Sequence, residues 1–147
     1  MENLELLLNR ALDAVIGMGP DGRVTAWNGA AEELFGWSKE EALGAVLGEL
    51  IVPAQHREHH ARGLEHYNRT GEGPVLERRI KITALHRTGV EFPVELSIFA
   101  INHSDQQHSF YAFVRDRSVE EAAHREQELR AREATAVMNV GQKLIED

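Results

Sequence analysis

Residues 53–60, Pro-Ala-Gln-His-Arg-Glu-His-His, place imidazoles at positions 56, 59 and 60. Imidazole can ligate a metal, hold a cofactor, move a proton, or lie solvated on a helix surface. A zinc site would start from His56 and His60, one helical turn apart, but it needs a third and usually a fourth ligand. The chain has no cysteine, and His56-Arg57-Glu58-His59-His60 is not the HExxH arrangement of a zinc protease. No GxSxG, P-loop or GxGxxG string is present, so no covalent or phosphate-handling chemistry is indicated. His124, in Ala-Ala-His-Arg-Glu-Gln, reads as part of a solvated helix face rather than as a phosphoacceptor.

Which imidazole faces inward depends on the element that carries it. Pro53 suits the first turn of a helix, and Thr70-Gly-Glu-Gly-Pro74 ends one, so the spacing predicts a helix over 53–69. His60, Leu64 and Tyr67 lie at i, i+4 and i+7 and form one stripe. Leu64 and Tyr67 are its most apolar members, so the stripe and His60 should face the core. His56 lies on that side near the helix end, whereas His59 and His66 fall at the boundary with water.

The rest of the chain supplies a sheet for this helix to cover. Ala14–Met18 and Arg23–Trp27 read as a hairpin about Pro20-Asp21-Gly22. Asn28 can cap a short helix ended by Gly36, and Ser38 with Glu41 forms a capping box. Val75–Leu85, Val90–Ala100 and His108–Arg115 alternate apolar and polar residues and read as three further strands. The expected class is α+β, a five-stranded antiparallel sheet with short helices on one face. Residues 1–12 carry an amphipathic helical pattern. From Ser118 onward Val119, Ala122, Leu129, Ala136, Val140 and Leu144 form a thin heptad-like stripe, the mark of a coiled-coil-like helix. The predicted divisions are 1–12, 13–117 and 118–147.

Composition narrows the function classes. The 147 residues carry a net charge of −8, which argues against a nucleic-acid partner. No apolar run is long enough to span a membrane, and no basic leader precedes residue 10, so a cytoplasmic location is expected.

The segments GPDGRVTAWNGAAEELFGWSKEEALG (19–44), RTGVEFPVELSI (87–98) and FVRDRS (113–118), with the exit helix, resemble a PAS domain, a sensory and dimerisation module. The resemblance implies a regulatory domain and not an enzyme, with any output kinase or cyclase lying outside these residues. Chromophores bonded through cysteine are excluded, whereas a non-covalent flavin such as FAD stays open. Trp27 and Trp37 could line a flavin pocket but match core positions of the family.

The segment also resembles the haem-binding PAS domains of FixL-type oxygen-sensor kinases and direct-oxygen-sensor phosphodiesterases. In both, the proximal histidine falls seven residues after a proline, as His60 follows Pro53. The resemblance implies haem b ligated by His60, with His66 near a propionate. Val75, Leu96 and Ile98 match distal apolar positions, and Tyr67 and Phe113 complete the implied lining. Ile80 stands where FixL-type sensors carry a distal arginine, and Arg78 where the phosphodiesterase type carries a methionine ligand. Arg78 or Arg79 would reach the ligand only if the strand register slipped. The partners implied are a diatomic gas or other small molecule, a second copy bound through the terminal helices, and a downstream output domain of a two-component or related system. A ligand-free interaction module is the alternative.

Overall fold

The computed structural model describes residues 13–73, 76–102 and 108–146, with only the backbone of 138–146. Five strands form one antiparallel sheet in the order β2-β1-β5-β4-β3. They are β1 Ala14–Met18, β2 Val24–Trp27, β3 Arg79–Leu85, β4 Glu91–Asn102 and β5 His108–Asp116. Between β2 and β3 run α1 Gly29–Phe35, α2 Lys39–Ala42, α3 Leu47–Ile51, a 3-10 turn Ala54–His56, and α4 Arg57–Thr70. A separate unit, residues 117–147, contains α5 Ser118–Glu146. No helix among the described residues is long and apolar enough to cross a membrane.

Strand alternation sorts the sheet into two faces. Ile80 pairs with Leu96 and Ile82 with Val94, and Leu96 in turn pairs with Val114. All of these face the helices. Phe99 and Phe113 lie on the opposite face, their ring centroids 6.0 Å apart, and both stay partly exposed.

The helical layer starts at Asn28, whose side chain is almost fully buried. Its Oδ1 accepts from the amides of Val15 at 2.9 Å and Ala31 at 3.0 Å, and its Nδ2 donates to the Asp13 carbonyl at 3.1 Å. One amide therefore caps α1 and ties it to β1. Gly36 closes α1 at φ 83°, a conformation that favours glycine. The capping box at Ser38 and Glu41 forms as expected. Arg87 from the β3–β4 turn then pairs with Glu41 at 2.9 Å and covers the Trp37 ring at 4.9 Å.

Two boundaries differ from the sequence reading by more than two residues. The third strand begins at Arg79 rather than Val75, because Glu77 turns the chain at φ 62°, a left-handed conformation no strand tolerates. Val75 lies outside the described residues. The helix predicted from Pro53 instead begins with a 3-10 turn and becomes α-helical at Arg57. The amphipathic pattern of residues 1–12 also lies outside the described residues.

Replacing Asn28 by alanine would leave the buried amides of Val15 and Ala31 without an acceptor. Urea unfolding should show a loss of about 2–4 kcal/mol, since each orphaned buried donor costs about 1–3 kcal/mol.

Candidate functional site

α4 meets the sheet through few side chains. Tyr67, the one buried residue of the helix, packs edge-on against Phe110 at 4.8 Å and His108 at 5.1 Å. Beside it Asn68 donates to the Pro20 carbonyl at 2.8 Å and hydrogen-bonds His108, fastening the C-terminal half of α4 to the β1–β2 turn and to β5. At the other end the Arg57 guanidinium donates to the carbonyls of Gly48 and Val52, both at 3.1 Å. These carbonyls close α3, where a cation also suits the helix dipole. Two glycines let the helix approach: a Cβ on Gly22 would lie 3.3 Å from Leu64, and one on Gly48 would lie 3.5 Å from Nδ1 of His60.

Between these anchors the layer does not fill the space above the sheet. A cavity of about 460 Å³ lies beneath Ile51, Val52 and Pro53, walled on the sheet side by Ile80, Ile82, Val94, Leu96, Ile98 and Val114. Its volume is in the range of small-molecule sites, about 300–1,000 Å³. A second chamber of about 130 Å³ adjoins Met18, Leu64, Tyr67, Leu76 and Phe110. His60 and Ile98 line both, so the imidazole stands where the two chambers meet.

His60 is half-buried and makes no hydrogen bond or ion pair among the described residues. Burial, and secondarily the neighbouring His59, hold its pKa below the ordinary imidazole value. The ring is therefore neutral near pH 7, the form with a lone pair available to a metal.

The inward stripe His60–Leu64–Tyr67 stands as expected, and Ile80, Leu96 and Ile98 share its cavities. Four other expected residues do not join them. Phe113 is on the far face of the sheet, because its parity on β5 is opposite to that of Val114. Arg79 pairs with Ser97 on that far face, so the register does not slip to bring it inward. Arg78 is exposed in the bend before β3 and lines neither chamber. His66 is exposed and lines an outer groove with His59, Arg62, Gly63, Glu65 and Arg69. Trp27 is core, donating its indole N–H to the Trp37 carbonyl at 3.0 Å, and neither indole lines the chambers.

The sequence reading misses Ile82, Val94 and Val114 as cavity walls. Ile82 and Val94 each lie two residues from a wall residue, and Val114 pairs with Leu96, so strand alternation was the available signal. His56, expected on the His60 side, lines the larger cavity although exposed, and so does His59, which was expected at the boundary with water. No cluster of three or more His, Cys, Asp or Glu able to hold a metal ion occurs among the described residues.

A family model described as PAS fold matches residues 2–117. The chain is 34% identical over 110 residues, 75% of its length, to an uncharacterised protein of Azorhizobium caulinodans, of which it spans 15%. It is 31% identical over 114 residues, 78% of its length, to the sensor protein FixL of Bradyrhizobium diazoefficiens, of which it spans 22%. The chain thus corresponds to less than a quarter of either relative. The crystal structure of a PAS domain from Colwellia psychrerythraea superposes with a TM-score of 0.65, covering 80% of this chain and 96% of that one at 23% identity.

The depressed pKa of His60 gives a pH signature. Above the ordinary imidazole value of about 6.5 the ring is neutral in folded and unfolded chains alike. As pH falls below it the unfolded chain takes up the proton first, so stability declines until the pH passes the lower folded-state value. Urea unfolding at pH 7.5 and 5.0 should show a smaller acid loss for His60→Asn than for the unmodified protein.

Proposed function

Because this chain belongs to the PAS family, we propose that it is the sensory input module of a longer signalling protein and holds haem b in the cavity beneath His60. Relatives that include the sensor protein FixL support the sensory part of this reading. The observation that carries the haem part is His60 itself: an imidazole disposed to be neutral, without a hydrogen-bond partner among the described residues, lining both apolar chambers. A half-buried ring nitrogen with no such partner is open to a group bound in the chambers.

The residues present fit the group. His60 would hold the iron through a ring nitrogen, and the missing side chain at Gly48 leaves room for its Nδ1 edge. Ile80, Ile82, Leu96 and Ile98 would exclude water from the opposite side. Bound haem supplies an iron whose redox state or affinity for a diatomic gas can change. The aliphatic side chains of this wall offer no charged donor where Ile80 stands, so it would favour ligands that need no donated hydrogen bond.

The output would leave through β5. Val114 lines the cavity two residues before the strand ends at Asp116, and α5 starts at Ser118 after the single residue Arg117. On α5, Val119, Leu129 and Val137 are exposed apolar residues on an otherwise charged helix. We assign them to a homodimer seam that carries the change to an output domain. A pure scaffold would have no use for an apolar cavity of this size.

Protein purified from haem-supplemented cells should show a Soret absorption band, lost in His60→Ala and largely kept in His59→Ala. A band that survives His60→Ala refutes the assignment.

The chain truncated after Asp116 should keep the folded PAS core but dimerise more weakly in sedimentation equilibrium. Unchanged association would place the interface elsewhere.

A further inference from the structure

The two edges of the sheet end differently. β2 is only four residues long and its outer side is covered, Val24 donating to the Ala45 carbonyl and accepting from the Gly44 amide, both at 2.9 Å. β3, at the other edge, runs for seven residues, Arg79-Ile-Lys-Ile-Thr-Ala-Leu85. The His86 amide donates to the Val90 carbonyl at 2.8 Å, and the pairing continues in unbroken register to Arg79 opposite Ser97. Bonded and non-bonded pairs alternate along an antiparallel ladder. Ala84, Ile82 and Ile80 therefore bond to β4, while Leu85, Thr83, Lys81 and Arg79 turn their N–H and C=O groups to the open edge. No described residue bonds to those outward groups.

An edge strand is normally protected against further pairing by a proline, a bulge, an inward charge or an isolated lysine. β3 has no proline, and its helix-side residues are Ile80, Ile82 and Ala84. Lys81 stands opposite Glu95, so its charge is not isolated. Ile82 is 47% exposed, and it lines the larger cavity together with Thr83, so the cavity reaches this edge.

We propose that β3 pairs antiparallel with β3 of a second copy of this chain, about a two-fold axis at Ile82, covering the open side of both cavities. The edge is self-complementary in that register. Arg79 falls opposite the partner's Leu85, Ile80 opposite the partner's Ala84, and Lys81 opposite the partner's Thr83, so no like charges meet. An axis at Lys81 would set two lysines face to face, and one at Thr83 would set Arg79 against the partner's Arg87. With the axis at Ile82 the outward groups of Arg79, Lys81, Thr83 and Leu85 find partners, about eight backbone hydrogen bonds in all. The proposal depends neither on haem nor on the α5 seam.

The full chain is followed by amide hydrogen exchange at low and high protein concentration, with its mass measured in parallel by sedimentation equilibrium. The amides of Lys81 and Thr83 should exchange about tenfold or more slowly where the dimer is populated, while those of Ile80, Ile82 and Ala84 are slow throughout. Thr83→Pro removes an outward N–H that the chain's own sheet does not use. The domain should keep its fold, Lys81 should lose its protection, and association should weaken. Because the chain has no cysteine, a single introduced thiol gives an independent readout. A non-hydrogen-bonded pair holds its Cα atoms about 4.5 Å apart, within disulfide reach. Ile82→Cys should therefore trap a dimer under mild oxidation about tenfold or more faster than Ile80→Cys. Equal trapping by the two variants overturns the register. Fast exchange of Lys81 and Thr83 at every concentration overturns the pairing, even where the α5 seam holds a dimer together. Slow exchange in protein that sediments as a monomer also overturns it, since the chain's own residues then cover the edge. None of these readouts involves iron or His60, so the haem assignment stands or falls separately.

Discussion

The helix Arg57–Thr70 covers the sheet with a stripe only one side chain wide, and the site follows from that constraint. Its buried contact is Tyr67, supported by the partly buried Leu64 and His60. A 14-residue helix that buries so little apolar area cannot be held by the hydrophobic effect alone. Polar fastenings at its two ends hold it instead, Arg57 on the carbonyls that end α3 and Asn68 between Pro20 and His108. The span between them bridges the sheet without filling the space beneath, and that space is the cavity.

Rigidity elsewhere makes this looseness useful. Asn28 satisfies three backbone groups with one amide and joins α1 to β1, while Trp27, Phe35 and Phe92 stack in series with centroid spacings of 5.5 and 5.9 Å. The half of the domain around α1 and the β3–β4 turn is thus densely tied. The half around α4 is held at two points. Local opening is drawn from the weakly packed end of a structure, so the wall that carries His60 is the one placed to yield to a ligand. Val114 belongs to the cavity and to the strand that leads to α5, which links the site to the exit of the domain by a single element.

The fold is largely legible in the residues because its signals are local. Asn28 and Ser38 cap where capping chemistry requires. Gly22, Gly36 and Gly89 take positive φ where the turn and cap signals stand. Period-two patterning marks the last three strands, and the turn Pro20-Asp21-Gly22 marks the first two as a hairpin. The departures are local too. Leu76 is in phase with Ile80 and Ile82 of the strand after it, and nothing in its type announces the left-handed turn at Glu77. Phe113 suggests pocket lining because it is large and apolar. Its parity with Val114 sets it on the other face, and parity carries no meaning until the facing strand is known.

Residue types and their spacing are therefore sufficient for the α+β class, the order and capping of its elements, and the inward stripe of the helix that bears His60. These depend on periodicity and on conformational preferences within a few residues of each position. Three features of the site arise only on assembly: His60 stands between two chambers, Arg79 faces away from them, and His59 and Gly63 each line both an inner chamber and the outer groove of α4. Empty volume is not a property of any residue. It is left where helices and sheet, each spaced by its own largest contacts and shortest glycine approaches, fail to meet, and only the assembled distances can show it.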